Sequence, residues 1–244
     1  MIVINNAMVI YTDWCLINGL VSDGQNHYRE IAPDLLTSCL NQNALDLSVI
    51  TRERLIDSIS ELPNFSDKFI ILGIFEGISP RAEIMPRVKL SDLDGSVLTL
   101  PNGVKINVSE ELRTIMKYAN NETEYIGMTK RNFVYEYIPS EYIIKHFISR
   151  KGVEDNPVVF IGTRLRKCFK WLGMPNFTMK QLSESGRIDF IKRIMNDYNI
   201  SLYDAVNKKP YREMHETIYG MIQSRPNYIN TYGKYYDMSK NPDT

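Results

Sequence analysis

The chain has 244 residues, which is enough for one large domain or two small ones and for a buried core. With 43% hydrophobic and 24% charged residues the composition is that of a globular protein, and it excludes a collagen-like, disordered or low-complexity chain. The 29 basic and 29 acidic residues balance overall, but residues 1–144 hold 12 basic against 19 acidic ones, whereas residues 145–244 hold 17 against 10. This asymmetry predicts a C-terminal part that faces a polyanion, unless it reflects chance segregation on a solvated surface.

Several classes of protein have no support in the sequence. No apolar run approaches the roughly 18–20 residues of a membrane span, and no signal sequence begins the chain, so we expect a cytoplasmic protein without a membrane partner. The odd, widely spaced Cys15, Cys39 and Cys168 predict reduced thiols. The three histidines are isolated and glycine-rich phosphate loops are absent, so we expect neither a metal nor a cofactor.

The predicted elements are mostly helices, separated by turn and breaker residues. N-cap residues, apolar spacing and helix breakers predict helices over residues 6–20, 51–62, 68–75, 109–118, 140–149, 163–172, 178–198 and 211–222. Residues 97–100 and 104–108 flank Asn102-Gly103, which predicts a β-hairpin. The predicted fold class is therefore mainly α with a small antiparallel β-sheet.

Two consecutive predicted helices concentrate basic residues. In residues 163–172 an apolar stripe predicts the buried side, and the remaining faces hold Arg164, Arg166, Lys167 and Lys170. The outer side of residues 178–198 holds Lys180, Arg187, Lys192 and Arg193. Such faces are either phosphate-contacting surfaces or plain solvated ones. The tyrosine-rich tail, residues 224–236 with Arg225, could stack on bases, grip another subunit or belong to the core.

The order of these segments resembles the catalytic domain of tyrosine recombinases, the phage integrase family. The resemblance covers about residues 50–236 and rests on TRERLID (51–57), SDKFIILGIFEGISPRAEI (66–84), VKLSDLD (88–94), the hairpin, LGMPNFTMKQL (172–182) and INTYGKY (229–235). It implies a catalytic-like domain over residues 50–244. Residues 1–49 would be the remnant of a helical core-binding domain plus a linker, with most of that domain missing.

The departures from the family pattern concern its catalytic residues. The segment GISPRAE (77–83) is one residue longer than the family's Gly-x-Arg-x-x-Glu, so Ser79 or Pro80 occupies the arginine position and Arg81 is displaced. Lys180 and Ser183 replace the histidine and arginine of the His-x-x-Arg motif, and a third site falls near Arg225. Arg81 and Lys180 are thus vestigial candidates. The resemblance leaves family-like roles to two residues, Lys105 as general acid and Tyr235 as nucleophile.

These losses predict a recombinase-like protein that binds double-stranded DNA without cutting it, used as a phage or prophage transcriptional repressor. Removing one group that stabilises transition-state charge costs about 10²–10³ in rate, whereas phosphate binding needs only positive charge nearby. One alternative is an active integrase that uses Arg81, Arg187 and Tyr235. A third is an interaction module whose basic helices meet an acidic protein and whose tyrosine-rich tail mediates self-association.

Overall fold

The computed structural model describes residues 2–21, 24–29, 49–79, 84–128, 133–146 and 157–237, without the side chains of residues 2–7, 157–159, 231 and 234–237. The chain divides into two compact units, Met1–Ser48 and Val49–Thr244. The relation of the first unit to a core-binding domain stays a prediction. No helix among the described residues is long and apolar enough to cross a membrane.

The first unit is built on helix α1, Ile2–Ile17. It confirms the predicted helix, begins earlier and ends before Gly19, which adopts a φ of 65°. A short 3₁₀ turn, His27–Arg29, follows. It is tied to α1 by Asp13, which receives hydrogen bonds of 2.7 Å from Arg29 and 2.8 Å from Asn26.

Helix α3, Phe65–Phe75, is the centre of the second unit. It is apolar on nearly every side and buried as predicted, because helices pack around it. One of these is α2, Arg52–Ser60, whose predicted N-cap Thr51 accepts a hydrogen bond from the Arg54 N–H at 3.4 Å. Gly77 ends the α3 segment with a φ of 98°.

The predicted hairpin is confirmed and extended by a third strand. Strands β1 (Leu93–Asp94), β2 (Val97–Thr99) and β3 (Lys105–Asn107) form an antiparallel sheet in the order β1-β2-β3. The β2–β3 register pairs Leu98 with Ile106, both of which point into the core. Gly103 takes the positive φ, 82°, that the turn requires.

Helix α4, Glu110–Asn121, follows the hairpin and is capped by Ser109 as predicted. The Leu112 N–H donates a hydrogen bond of 3.1 Å to the Ser109 hydroxyl. Beyond it, β4 (Glu124–Ile126) and β5 (Val134–Glu136) form a second hairpin that the sequence analysis missed. The predicted helix over residues 140–149 is wrong for residues 140–146, and its remainder lies outside the described residues. Ile143 there donates its N–H to the Val88 carbonyl at 3.0 Å, so a tertiary contact replaces a helical hydrogen bond.

The two basic helices are α5, Pro157–Trp171, and α6, Met179–Tyr198. Helix α5 starts earlier than predicted, since the apolar run after Pro157 belongs to it. It ends at Gly173, whose φ is 73°. Helix α6 begins with the predicted capping box, in which Thr178 and Gln181 exchange hydrogen bonds of 2.9 and 3.2 Å.

Three further helices complete the second unit: α7 (Leu202–Asn207), α8 (Lys209–Tyr219) and α9 (Arg225–Asp237). They pack with one side of α6 into a second hydrophobic cluster that includes Ile191, Val206 and Tyr228. The other side of α6 contacts α3. Helix α6 therefore joins the two cores of this unit.

Candidate functional site

Helix α5 does not expose all four of the basic residues predicted for its surface. Arg164 is only 2% exposed, because it lies on the same helical side as Leu165 and Cys168. Its Nε donates to Asp67 on α3 at 2.6 Å, and its Nη2 donates to the Ser66 hydroxyl at 2.6 Å. Burial lowers the pKa of Arg164, but the Asp67 carboxylate, Tyr137 and Tyr125 together outweigh burial and raise the net pKa. The prediction that Arg164 lies on an exposed face is therefore wrong, and this residue pins α5 to α3.

The other three basic residues of α5, Arg166, Lys167 and Lys170, form an exposed face. We call these three the α5 basic face. Arg166 donates hydrogen bonds within its own helix, to the Gly162 carbonyl and the Thr163 hydroxyl at 3.4 and 3.3 Å. Helix α5 contains no Asp or Glu, and no carboxylate among the described residues forms an ion pair with this face. Its positive charge is thus left for solvent or a partner.

Arg187 of α6 is also buried, contrary to its predicted place on the outer side of that helix. It is 4% exposed, and its Nη2 donates to the backbone carbonyl of Tyr219 on α8 at 2.6 Å. Glu184 lies 3.7 Å from its Nε. The reason for the error is that α8 covers this side of α6, which helical periodicity within α6 does not reveal. Arg187 braces the end of α8 and does not face solvent.

The remaining basic candidates on α6 and α9 are mixed. Lys180 is exposed at the start of α6, and Lys192 is half-buried. Arg193 is exposed, with its Nε 3.5 Å from Asp189 one turn earlier. Arg225 of α9 lies 3.8 Å from Glu216. Two of these four side chains are therefore already partly neutralised by carboxylates of the same chain.

A cavity of about 240 Å³ lies where α3, the β2–β3 turn, α6 and α8 come together. Its polar lining consists of Ser79, Asn102, Ser183 and Thr217, and isoleucine side chains form much of the rest. None of the described residues that line it carries a positive charge. Ser79 and Ser183 are the residues that the family resemblance placed at or next to its two arginine positions, and the fold brings both to this one cavity.

The walls of this cavity depend on close backbone contacts. The ring hydroxyl of Tyr219 donates to the Phe75 carbonyl at 2.8 Å, and burial raises the pKa of Tyr219, so the donor stays protonated. A Cβ on Gly77 would lie 2.1 Å from Cγ2 of Ile218, which leaves glycine as the residue that fits there. Gly220 ends α8 with a φ of 82°. The shape of the cavity is thus set by α3 and α8 together.

The vestigial catalytic candidates do not converge on this cavity in the described part of the chain. Lys105 is exposed on β3 and lines a neighbouring groove of about 400 Å³ together with Arg193 and Glu76. Lys180 does not line the cavity, although Ser183 one turn later does. Arg81 and the side chain of Tyr235 lie outside the described residues, and the backbone of Tyr235 belongs to α9.

Tyrosines of α9 contribute to the core of this chain. Tyr228 is buried in the second hydrophobic cluster, and its ring centroid lies 4.7 Å from that of Tyr232. The predicted self-association through the tyrosine-rich tail stays a prediction.

Cys15 and Cys168 are buried, free thiols, and Cys39 lies outside the described residues. Among the residues that the structure describes, no cluster of His, Cys, Asp and Glu could hold a metal ion.

The sequence analysis assigned no role to one exposed aromatic residue beside the α5 basic face. Trp171, the last residue of α5, has a side chain that is 47% exposed and follows directly on Lys170. Its position directly after a run of basic residues could have indicated an exposed side chain. An aromatic residue at the end of a helix is, however, equally typical of a buried core position.

Residues 49–231 match the protein family described as "MrpR, C-terminal catalytic domain". No curated protein matches the chain.

Proposed function

Because this chain belongs to the MrpR C-terminal catalytic domain family, which is tyrosine recombinase-like, we propose that it binds double-stranded DNA and does not cut it. A recombinase-like fold does not by itself imply recombination, since activity depends on the groups in the site. The observation that carries the proposal is the separation of charge from the cavity. The α5 basic face has three exposed cations that form no ion pair with the described carboxylates, whereas the cavity that collects Ser79 and Ser183 has no cation among its described lining residues.

The chemistry of strand cleavage explains why this separation matters. A tyrosine attacking a phosphodiester builds up charge on the non-bridging oxygens, and positively charged donors must already be in place to stabilise it. Serine hydroxyls and an asparagine amide supply weaker, neutral hydrogen bonds. Losing two such cations at about 10²–10³ each leaves no useful turnover, while phosphate contacts outside the cavity still support binding.

The specific form of the proposal is a phage or prophage transcriptional repressor, of the kind that acts as master repressor in SPβ-type prophages. A DNA-binding protein without strand cleavage can act by occupying sites at promoters. Mapping its bound sites across a host genome tests this form, since repeated short sites at promoters are expected. A single attachment site would favour recombination instead.

The test of binding without cleavage uses one protein preparation and two DNA substrates. A random-sequence duplex at low salt should give a mobility shift that weakens steeply as salt rises. A nicked suicide substrate should give no covalent protein–DNA adduct under the same conditions. An adduct that disappears in Tyr235→Phe would contradict the proposal and establish an active recombinase. Absence of any shift would favour a protein-binding module.

A further inference from the structure

Trp171 extends the α5 basic face with an exposed indole ring. Positions 166, 167, 170 and 171 share one side of a helix, because residues four apart are about one turn apart. The ring is 47% exposed, which is unusual for a side chain that large. A cationic face bordered by an exposed tryptophan combines charge with apolar contact area.

The backbone under this ring is firmly held. The Leu172 N–H donates to the Cys168 carbonyl at 2.9 Å, and the Met174 N–H closes the helix end by donating to the Phe169 carbonyl at 2.7 Å. Leu172 and Met174 also pack on the main core. Trp171 is thus presented from a rigid position, which reduces the entropy lost when a partner binds.

The end of a helix determines which ligand groups suit it. The C-terminus of α5 carries partial negative charge, which would repel a phosphate, and Lys170 in the last turn offsets it. A neutral indole suits the remaining space, since its ring can pack on an apolar sugar while its N–H donates to a phosphate oxygen.

We propose that Trp171 is a contact for the DNA backbone, packing its ring on a deoxyribose beside the phosphates bound by Lys167 and Lys170. This inference rests on the proposed DNA-binding function. It assigns a role that charge alone cannot fill. Tryptophan is also among the residues enriched at the energetic hot spots of interfaces.

The chain contains a matched control for this residue. Its other tryptophan, Trp14, is 54% exposed on α1 and stacks on Tyr11 with ring centroids 6.2 Å apart. Helix α1 contains no Lys or Arg, so it forms no basic face of its own beside Trp14. Because the chain has only 2 tryptophans, Trp14→Phe leaves Trp171 as the sole indole emitter.

The experiment uses the full chain and measures two quantities separately, the contact of Trp171 with DNA and its contribution to DNA affinity. In Trp14→Phe, emission from Trp171 should change during titration with a random-sequence duplex, at the concentrations at which labelled duplex gains anisotropy. Trp171→Ala should weaken binding about tenfold without changing the slope of log K against log salt, because the indole carries no charge. Trp171→Phe should recover part of that loss, and Trp14→Ala should bind like the wild type. Circular dichroism and thermal unfolding of each variant check that it is folded.

Two outcomes would overturn the inference while leaving the proposed function intact. One is unchanged Trp171 emission on a duplex that binds. The other is normal DNA affinity of Trp171→Ala, with or without a changed oligomeric state. If the wild-type chain shows no salt-dependent binding to duplex, the proposed function fails and the role of Trp171 fails with it.

Discussion

Helices α5 and α6 each carry four basic residues, yet they use them differently. Helix α5 buries one cation, Arg164, against Asp67 and leaves three exposed that form no ion pair with any described carboxylate. Helix α6 buries Arg187 and contains three acids of its own, Glu184, Asp189 and Asp197, two of which lie within ion-pairing distance of its arginines. Equal numbers of basic residues therefore produce one face whose cations form no ion pair among the described residues and one whose arginines lie beside carboxylates.

The number of basic residues on a helix is therefore a poor guide to whether that helix forms a binding surface. What matters is how many cations are both exposed and unpaired, because only these release counterions from DNA on binding. A carboxylate of the same chain that already pairs with an arginine competes with the phosphate. The predictions below test this difference, beginning with the variant that should have the largest effect.

Within α5, Arg164 and Arg166 should behave as opposites. Arg164→Ala leaves the fully buried Asp67 without its cationic partner, and breaking such a pair costs about 3–5 kcal/mol of unfolding free energy. Arg166→Ala removes an exposed cation and should change stability by less than about 0.5 kcal/mol. Urea unfolding of both variants measures this, and equal stabilities would contradict the structural role of Arg164.

Between the two helices, DNA binding should depend mainly on α5. Replacing Arg166, Lys167 and Lys170 together by Ala should lower the slope of log K against log salt by about 2.7, at about 0.9 per phosphate contact, and reduce affinity on the order of 100-fold at low salt. Replacing Lys192 and Arg193 should do less per residue, because Asp189 already lies beside Arg193. A larger effect per residue from the α6 variant would reverse the comparison.

The packing of the two helices can be compared at a glycine in each. A Cβ on Gly186 of α6 would meet the Phe75 backbone oxygen at 1.7 Å, so Gly186→Ala should destabilise by about 1–3 kcal/mol or more. Gly162 of α5 has nothing within 4 Å of such a Cβ, so Gly162→Ala should stabilise by up to about 1 kcal/mol through helix propensity. Thermal unfolding decides this, and a Gly186→Ala variant as stable as the wild type would be incompatible with the close contact at Gly186.

Acid should lower the free energy of unfolding of this protein through His215 on α8. This side chain is fully buried, and burial together with Arg187 and Arg225 lowers its pKa from 6.5 to about 4, with Glu216 opposing. Below about pH 6.5 this histidine binds a proton in the unfolded chain, whereas in the folded chain it stays neutral down to about pH 4. The free energy of unfolding therefore falls as pH drops from about 6.5 to about 4. The loss at pH 5 should be about 2 kcal/mol. His215→Leu should flatten this part of the stability profile, as measured by urea unfolding between about pH 4 and pH 7.

Local signals accounted for much of the fold. The caps Thr51, Ser109 and the Thr178–Gln181 box predicted three helix starts, because each satisfies backbone N–H groups with a side chain close in sequence. Asn102-Gly103 predicted the hairpin for a similar reason. The β4–β5 pair escaped prediction, and residues 140–146 were assigned to the wrong state, because their structure depends on partners far away in the chain.

For the candidate site, the sequence by itself determined which residue types stand at the family's catalytic positions and that the C-terminal part is rich in cations. Only the tertiary structure decided which cations are available. Arg164 meets Asp67 across 97 positions of sequence, and Arg187 meets the Tyr219 carbonyl across 32. Helical spacing describes which side of a helix a residue occupies, but burial and ion pairing are set by what another segment places against that side. The same reason explains why Ser79 and Ser183, far apart in the chain, share one cavity without a positive charge among its described lining residues.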